Sequence, residues 1–171
     1  LELLRRCVET LAAVTRHADY EIVILNNESR EPWTLEWLAH SGHRVLDFPG
    51  PFNYAAMNNA AVRAVDSPWL CFLNNDTEII DPDWLGAMCE QVQRPEIAAV
   101  GAKLLFPDGL VQHAGVILGI QGRAAHAFAG MAAHFAGARS QLHAVRNYSA
   151  VTAACMMMRR EVFVELGGFD E

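Results

Sequence analysis

The 171-residue sequence has no run of about 18 uninterrupted apolar residues, which excludes a helix built to span a bilayer. Basic residues are scarce. Thirteen Lys and Arg against 20 Asp and Glu leave a formal net charge of −7. That balance argues against a nucleic-acid binder, which usually carries a basic face for the phosphate backbone. It leaves open a small phosphorylated ligand whose charge a metal ion neutralises locally. Charged residues are 19% of the chain and apolar residues 52%, so it is not a disordered segment. The four cysteines, Cys7, Cys71, Cys89 and Cys155, form no C-x-x-C pair and sit in apolar stretches. They read as reduced core cysteines of a cytosolic protein. No G-x-G-x-x-G, G-x-x-x-x-G-K-[ST] or G-x-S-x-G occurs, against Gly-rich dinucleotide binding, P-loop chemistry and an α/β-hydrolase elbow. The seven histidines never take H-x-x-x-H or H-E-x-x-H spacing. The opening LELLRRCVETL has neither the apolar core nor the cleavage site of a signal peptide.

What is present is an alternation of helical and strand patterns. Leu3, Leu4, Cys7, Leu11 and Val14 mark one face of a helix over 2–16. YEIVIL (20–25) is a short β-branched run that predicts a buried strand, ending at the polar turn Asn26–Ser29. A helix is expected over 32–39, a strand over 43–48, a helix over 54–65 and a buried strand over 69–73. Asp81 is expected to cap a helix with Pro82 in its first turn, running to Arg94. Further strands are expected at 97–105, 114–118 and 147–158, with a Gly/Ala/His-rich mobile loop over 119–146 and a short helix over 161–166. Strands alternating with helices imply βαβ units, hence an α/β fold with a mostly parallel central sheet flanked by helices. Ligands then bind beyond the carboxyl ends of the strands. The polar clusters 26–29 and 74–77 fall at two such ends.

Within the second cluster, FLNNDTEI, Asp76 follows a hydrophobic strand, with amides at Asn74 and Asn75 and a hydroxyl at Thr77. Hard oxygen donors on a short turn suit Mg2+ or Mn2+, which keeps several waters and is shared with substrate phosphates. Asn and Asp also favour turns for purely local reasons, so spacing alone leaves both readings open.

The blocks YEIVILNNES, FNYAAMNNAAVRAV, WLCFLNNDTEIIDPDWL, IAAVGAKLLFPDGLVQHAGVILG, NYSAVTAACMMMRREVF and GGFDE resemble, in this order, the family 2 nucleotide-sugar glycosyltransferases of the Rossmann-like GT-A fold. The resemblance covers nearly the whole chain. It implies one glycosyltransferase domain over 1–171, with a nucleotide-binding half over 1–95 and an acceptor-side half over 96–171. Asn26, Asn27 and Ser29 then correspond to the turn that holds the nucleotide base, with amides where many relatives have aspartates. Asn58 and Asn59 lie in a segment near the nucleotide, as does Asn75. The NND at 74–76 stands where the family has its D-x-D metal motif, so Asp76 is the implied ligand and catalytic group, with Asn74 a helper. Asp170 is implied as a catalytic group and Glu171 and His113 as acceptor-side residues; Asp170 and Glu171 also read as the start of the next turn, and His113 as a plain structural residue. The family's general base follows a GGFDE-like segment and is expected beyond Glu171. An apolar strand is expected before the first helix, lying inside the sheet.

The implied reaction is inverting transfer of a sugar from a UDP- or dTDP-type nucleoside diphosphate sugar to a glycan or lipid-linked acceptor. Its expected setting is cell-surface glycan synthesis, in the cytoplasm at the inner face of the membrane. Two alternatives stand beside it. One is a sugar-nucleotide-binding module of the same fold without transfer. The other is a sugar nucleotidyltransferase, which usually needs a basic Gly-rich loop near its start.

Overall fold

The computed structural model describes residues 1–17, 19–120 and 122–171. Helix α1 (Glu2–Val14) turns Cys7, Val8 and Leu11 inward, whereas Leu3, expected on that face, is exposed. Strand β1 (Val23–Asn26), helix α2 (Pro32–His40, with Pro32 in its first turn) and strand β2 (Arg44–Asp47) follow. β1 and β2 pair in parallel, Val23 opposite Arg44 through Asn26 opposite Asp47. Val8, Ile24 and Leu38 close a small core between this pair and the two helices.

Helix α3 (Tyr54–Ala64) starts where the Asn53 side chain accepts the Ala56 N–H, so an asparagine satisfies one of the free amides of its first turn. Strand β3 (Trp69–Leu73) alternates strictly. Leu70 and Phe72 join Val62, Met156, Met158 and Phe163 in a core on one face. The other face belongs to helix α4 (Trp84–Val92): Leu85, Met88, Cys89 and Val92 pack there with Cys155 and Met157. Asp81 accepts the Asp83 N–H in a turn, and the helix begins two residues later than expected. The Trp84 indole donates to Thr15 and so faces the end of α1.

The second half departs from the expected topology. The 97–105 run divides into β4 (Ala99–Gly101) and β5 (Leu104–Leu105), and β6 (Val111–His113) is an unanticipated strand. The expected mobile loop carries one arm of a hairpin, β7 (Val116–Ile120) with β8 (Arg123–His126), and a 3-10 segment at Ala138–His143. Gln121 within it lies outside the described residues. Strand β9 (Cys155–Arg159) is shorter than expected, and α5 (Arg160–Glu165) follows it directly.

The sheet is therefore not mostly parallel. Among the described residues only β1–β2 is parallel, while β3–β9, β9–β4, β5–β6 and β7–β8 are antiparallel. For the two hairpins the physical reason is the connections. A parallel pair needs a crossover of about a dozen residues, usually a helix, and β5–β6 and β7–β8 are joined by tight turns instead. The Asp108-Gly109 turn, with Gly109 at φ +81°, is the hairpin signal the α/β reading passed over.

Two adjacent arginines staple the layers. Arg159 Nη1 donates to the carbonyls of Val92, Arg94 and Ile97, and Nη2 to Pro95, closing the end of α4. Arg160 Nη1 donates to Val62 and Val65 at the end of α3. Each thus satisfies carbonyls that a helix end leaves open. Arg159→Met keeps the packing of the stem and removes those bonds. It is expected to cost about 2 kcal/mol, read as a lower urea midpoint with unchanged slope.

A cleft of about 570 Å3 lies between β1 and β3. It is lined by Val23 and Leu25 on one side and by Leu70, Cys71 and Phe72 on the other, with Met157 behind. Cys71, expected in the core, faces this cleft and is exposed; Cys7, Cys89 and Cys155 are buried as expected.

Candidate functional site

Both polar turns sit at the carboxyl ends of strands, and each is held by a different network. At the end of β1 the Asn26 amide donates to the Asp47 carboxylate at 2.7 Å, while its oxygen accepts the Ser29 N–H. The Asn27 amide donates to the carbonyls of Phe48 and Gly50. Glu28, at φ +53°, accepts the Gly50 N–H, and this bond followed by the Arg30 side chain holds its carboxyl below the usual range. The two amides bring no charge to this turn; Glu28 within it supplies one, and Asp47 of β2, which no sequence motif singles out, supplies another.

The loop pinned by Asn27 leads into α3. A cavity of about 270 Å3 opens there, lined by Asn27, Asn53, Met57, Arg63 and Glu171 among others. It brings a residue assigned to the nucleotide beside one assigned to the acceptor. Arg63 and Asn53, also unassigned from sequence, complete its polar wall.

Asn58 donates back to the Tyr54 carbonyl within α3. Asn59 is 7% exposed, and its whole amide is engaged: it donates to the Phe169 carbonyl and to Glu171 Oε1, each at 2.9 Å, and accepts the Phe169 N–H at 2.8 Å. Gly168, at φ +83°, is required beneath it, since a Cβ would come within 2.5 Å of Asn59 Oδ1. Asn59 thus locks the GGFDE turn, leaving Asp170 and Glu171 exposed at its rim.

At the end of β3 the backbone of Asn74 is fixed on both sides. Its N–H donates to the Ala154 carbonyl at 2.9 Å, and its carbonyl accepts from the Thr77 hydroxyl at 2.7 Å and the Cys7 thiol at 3.7 Å. Asn75 and Asp76 project from this fixed base and are exposed. Burial pushes the Cys7 thiol up, and the Asp76 charge adds to the effect. Among the described residues Asp76 makes no ion pair or side-chain hydrogen bond, and no three His, Cys, Asp or Glu side chains gather into a metal cage. One free carboxylate with amide oxygens beside it is too few donors for a structural metal. It fits a Mg2+ or Mn2+ ion shared with ligand phosphates and waters.

His113 does not line this rim. It is 1% exposed, and its Nε2 accepts the N–H groups of Gly115 and Thr152 at 3.2 and 3.5 Å. Nε2 must then be unprotonated, so Nδ1 carries the hydrogen and donates to His126 Nδ1 at 2.9 Å. The rings meet edge to face, 4.9 Å between centroids. Burial, followed by the neighbouring His126, pushes the pKa of His113 down to about 4. In the unfolded chain it returns to about 6.5, so the unfolded state binds the proton first on acidification. The stability this group contributes is complete above pH 6.5 and is lost as pH falls from 6.5 through 4. That loss is about 3 kcal/mol. Chemical unfolding between pH 7 and 4 is expected to show this slope in the parent and to lack it in His113→Gln.

The sequence profile of glycosyl transferase family 2 matches residues 1–167. The chain is 44% identical over 174 aligned positions to an O-antigen biosynthesis protein, RfbC, of Myxococcus xanthus. It is 43% identical over 176 to an uncharacterized protein, y4gI, of Sinorhizobium fredii (strain NBRC 101917 / NGR234). These alignments take in 99% and 100% of the chain, which spans only 14% and 19% of the respective relatives. Its fold is similar to that of the mannosyltransferase PcManGT from Pyrobaculum calidifontis, solved in complex with GDP-Man and Mn2+. The TM-score is 0.63 at 13% identity, over 99% of this chain and 44% of that one. No helix among the described residues is long and apolar enough to cross a membrane.

Proposed function

The chain belongs to glycosyl transferase family 2, and from that premise we propose that it forms the donor-binding part of an enzyme transferring a sugar from a nucleoside diphosphate sugar to an acceptor hydroxyl. The observation that carries this reading is Asp76: an exposed carboxylate, without a partner among the described residues, on a turn whose backbone is fixed from behind by Ala154, Thr77 and Cys7. A bound Mg2+ or Mn2+ there supplies Lewis-acid neutralisation of the charge that develops on the leaving diphosphate. The protein's own part is to hold the oxygen donors still. Asn74 donates no motion to the turn because both its backbone groups are bonded, and Asp76 provides the anionic contact. Asn75, exposed beside it, offers an amide to the ligand.

The turn at 26–29 and the cavity beside it are the proposed seat of the nucleoside. Asn27 positions the 48–50 loop there, while Asn53 and Arg63 present polar groups to the cavity. Asn58 and Asn59 belong to this region as supports of α3 and of the GGFDE turn. Asp170 at that turn faces the acceptor, Glu171 stands where the nucleoside cavity borders the acceptor side, and transfer proceeds by in-line displacement with inversion. The name of the Myxococcus relative supports a cell-surface glycan or lipid-linked acceptor. With such an acceptor, we infer that the work belongs at the inner face of the membrane.

The test is calorimetric titration of UDP, dTDP and GDP, with Mn2+ and with EDTA, into the protein at its full natural length. One nucleotide is expected to bind with Mn2+ and not with the chelator. If the folded protein binds none of them, the donor reading fails. A second reading, a binding module without transfer, is favoured by one observation: the Asn26 and Asn27 amides are already spent on Asp47, Phe48 and Gly50. Tight nucleotide binding with no release of sugar in the presence of acceptors would select it.

A further inference from the structure

Segment 148–154 is a strap between two distant parts of the molecule. At one end it is docked on the turn after β6. The Ser149 N–H donates to the Val116 carbonyl, the Val116 N–H to the Ala150 carbonyl, and the Thr152 N–H to His113 Nε2. The Tyr148 ring occupies the space where a Cβ on Gly115 would stand, and Gly115 is held at φ +103°. At the other end the Ala153 carbonyl accepts the Tyr54 hydroxyl at 3.3 Å, and the Ala154 carbonyl accepts the Asn74 N–H at 2.9 Å. Between the ends, the Thr152 hydroxyl accepts the Ala154 N–H. Three successive hydrogen bonds therefore lead from His113 Nε2 through Thr152 and Ala154 to Asn74, the residue that begins the Asn74–Asp76 turn.

Resting on the donor-site reading above, we propose that His113 is a positioning residue: through Nε2 it sets the 148–154 strap from which the Asn74–Asp76 turn is hung. The chemistry suits this. Nε2 accepts two converging backbone N–H groups, which no aliphatic side chain of the same volume can do. His126 enforces that tautomer by accepting from Nδ1, so the acceptor always points at the strap. Tyr54, at the start of α3, ties the same strap to the nucleoside side of the rim. One buried imidazole thereby aligns groups from both halves of the chain without touching the ligand.

The experiment is hydrogen exchange on the ligand-free, full-length protein, comparing His113→Leu and His113→Gln. The Leu variant fills the space without an acceptor; the Gln variant places an amide oxygen near the position of Nε2. In the Leu variant, exchange is expected to rise about tenfold in peptides covering 150–154 and 72–77, with peptides covering 23–26 and 44–47 unchanged. The Gln variant is expected to stay within about threefold of the parent. The affinity of the selected nucleoside diphosphate with Mn2+ is expected to fall about tenfold in the Leu variant and to recover with Gln. Faster exchange at 150–154 without change at 72–77 overturns the proposal. So does a uniform rise everywhere, a Gln variant as damaged as the Leu variant, or loosened 72–77 with unaltered affinity. If the parent binds no nucleotide, the donor reading has failed, and the exchange pattern alone decides whether the strap is set by His113. Should His113→Leu not fold, His126→Leu removes the tautomer partner at the more exposed end and is expected to give the same pattern at smaller amplitude.

Discussion

Asp76→Ala is expected to weaken Mn2+-dependent nucleoside diphosphate binding at least about 100-fold, or about 2.7 kcal/mol, while leaving stability within about 0.5 kcal/mol of the parent. The two halves of this expectation have different causes. Binding falls because the turn holds a single carboxylate, so no second anion remains to keep the cation. Stability holds because Asp76 is exposed and bonds to nothing in the described structure. Asp76→Asn keeps shape and loses charge, and it too is expected to lose most of the cation-dependent affinity. Titration with and without EDTA, beside a urea curve for each variant, reads both quantities. Parent-like binding by Asp76→Ala would show that the cation sits elsewhere.

Asn59→Leu is expected to act in the opposite way, costing about 3 kcal/mol of stability. The leucine leaves the Phe169 N–H and carbonyl without partners in a place that is nearly closed to water, and Glu171 loses its tether. The loss extends to packing, because Phe169 closes an aromatic cluster with Phe72 and Phe163 at centroid distances of 4.9 and 5.2 Å. Asn59→Asp retains one acceptor for the Phe169 N–H but sets a carboxylate against Glu171 and a carbonyl, and is expected to be no better. A urea midpoint for Asn59→Leu equal to that of the parent would refute the clamp.

The first half of the chain was readable from local pattern because its information is local. YEIVIL and WLCFL are short β-branched or aromatic runs that end in Asn-rich turns, and β1 and β3 end at those turns. Pro32 and the FNYAAMNN stretch likewise mark α2 and α3. The second half was misread because its pairings are remote. Nothing near Cys155 announces that it will lie opposite Leu73, nor does the Gly/Ala/His composition of 119–146 announce a hairpin. The Asp108-Gly109 turn is a local signal, but it announces the β5–β6 hairpin alone. Site residues divide in the same way. Asp76 stands out because a lone acid after a buried strand is visible in the sequence. The engagement of Asn59 with residues 110 positions away, and of His113 with Thr152, is not written in any spacing. Chemistry could be nominated from residue type, but whether an amide is free or already bonded is a property of the folded chain.

The cleft between β1 and β3 also bears on how the chain behaves in bulk solution. Each of these strands is paired on one side only among the described residues, so two rows of backbone donors and acceptors look into an apolar trough. Such rows are templates for another molecule's strand. At neutral pH the net charge of −7 keeps copies of residues 1–171 apart, but the pI of about 5.4 lies where that repulsion vanishes. The colloidal behaviour of this stretch studied alone thus turns on two edges and one charge balance, and light scattering is expected to stay low at pH 8 and to rise near pH 5.4.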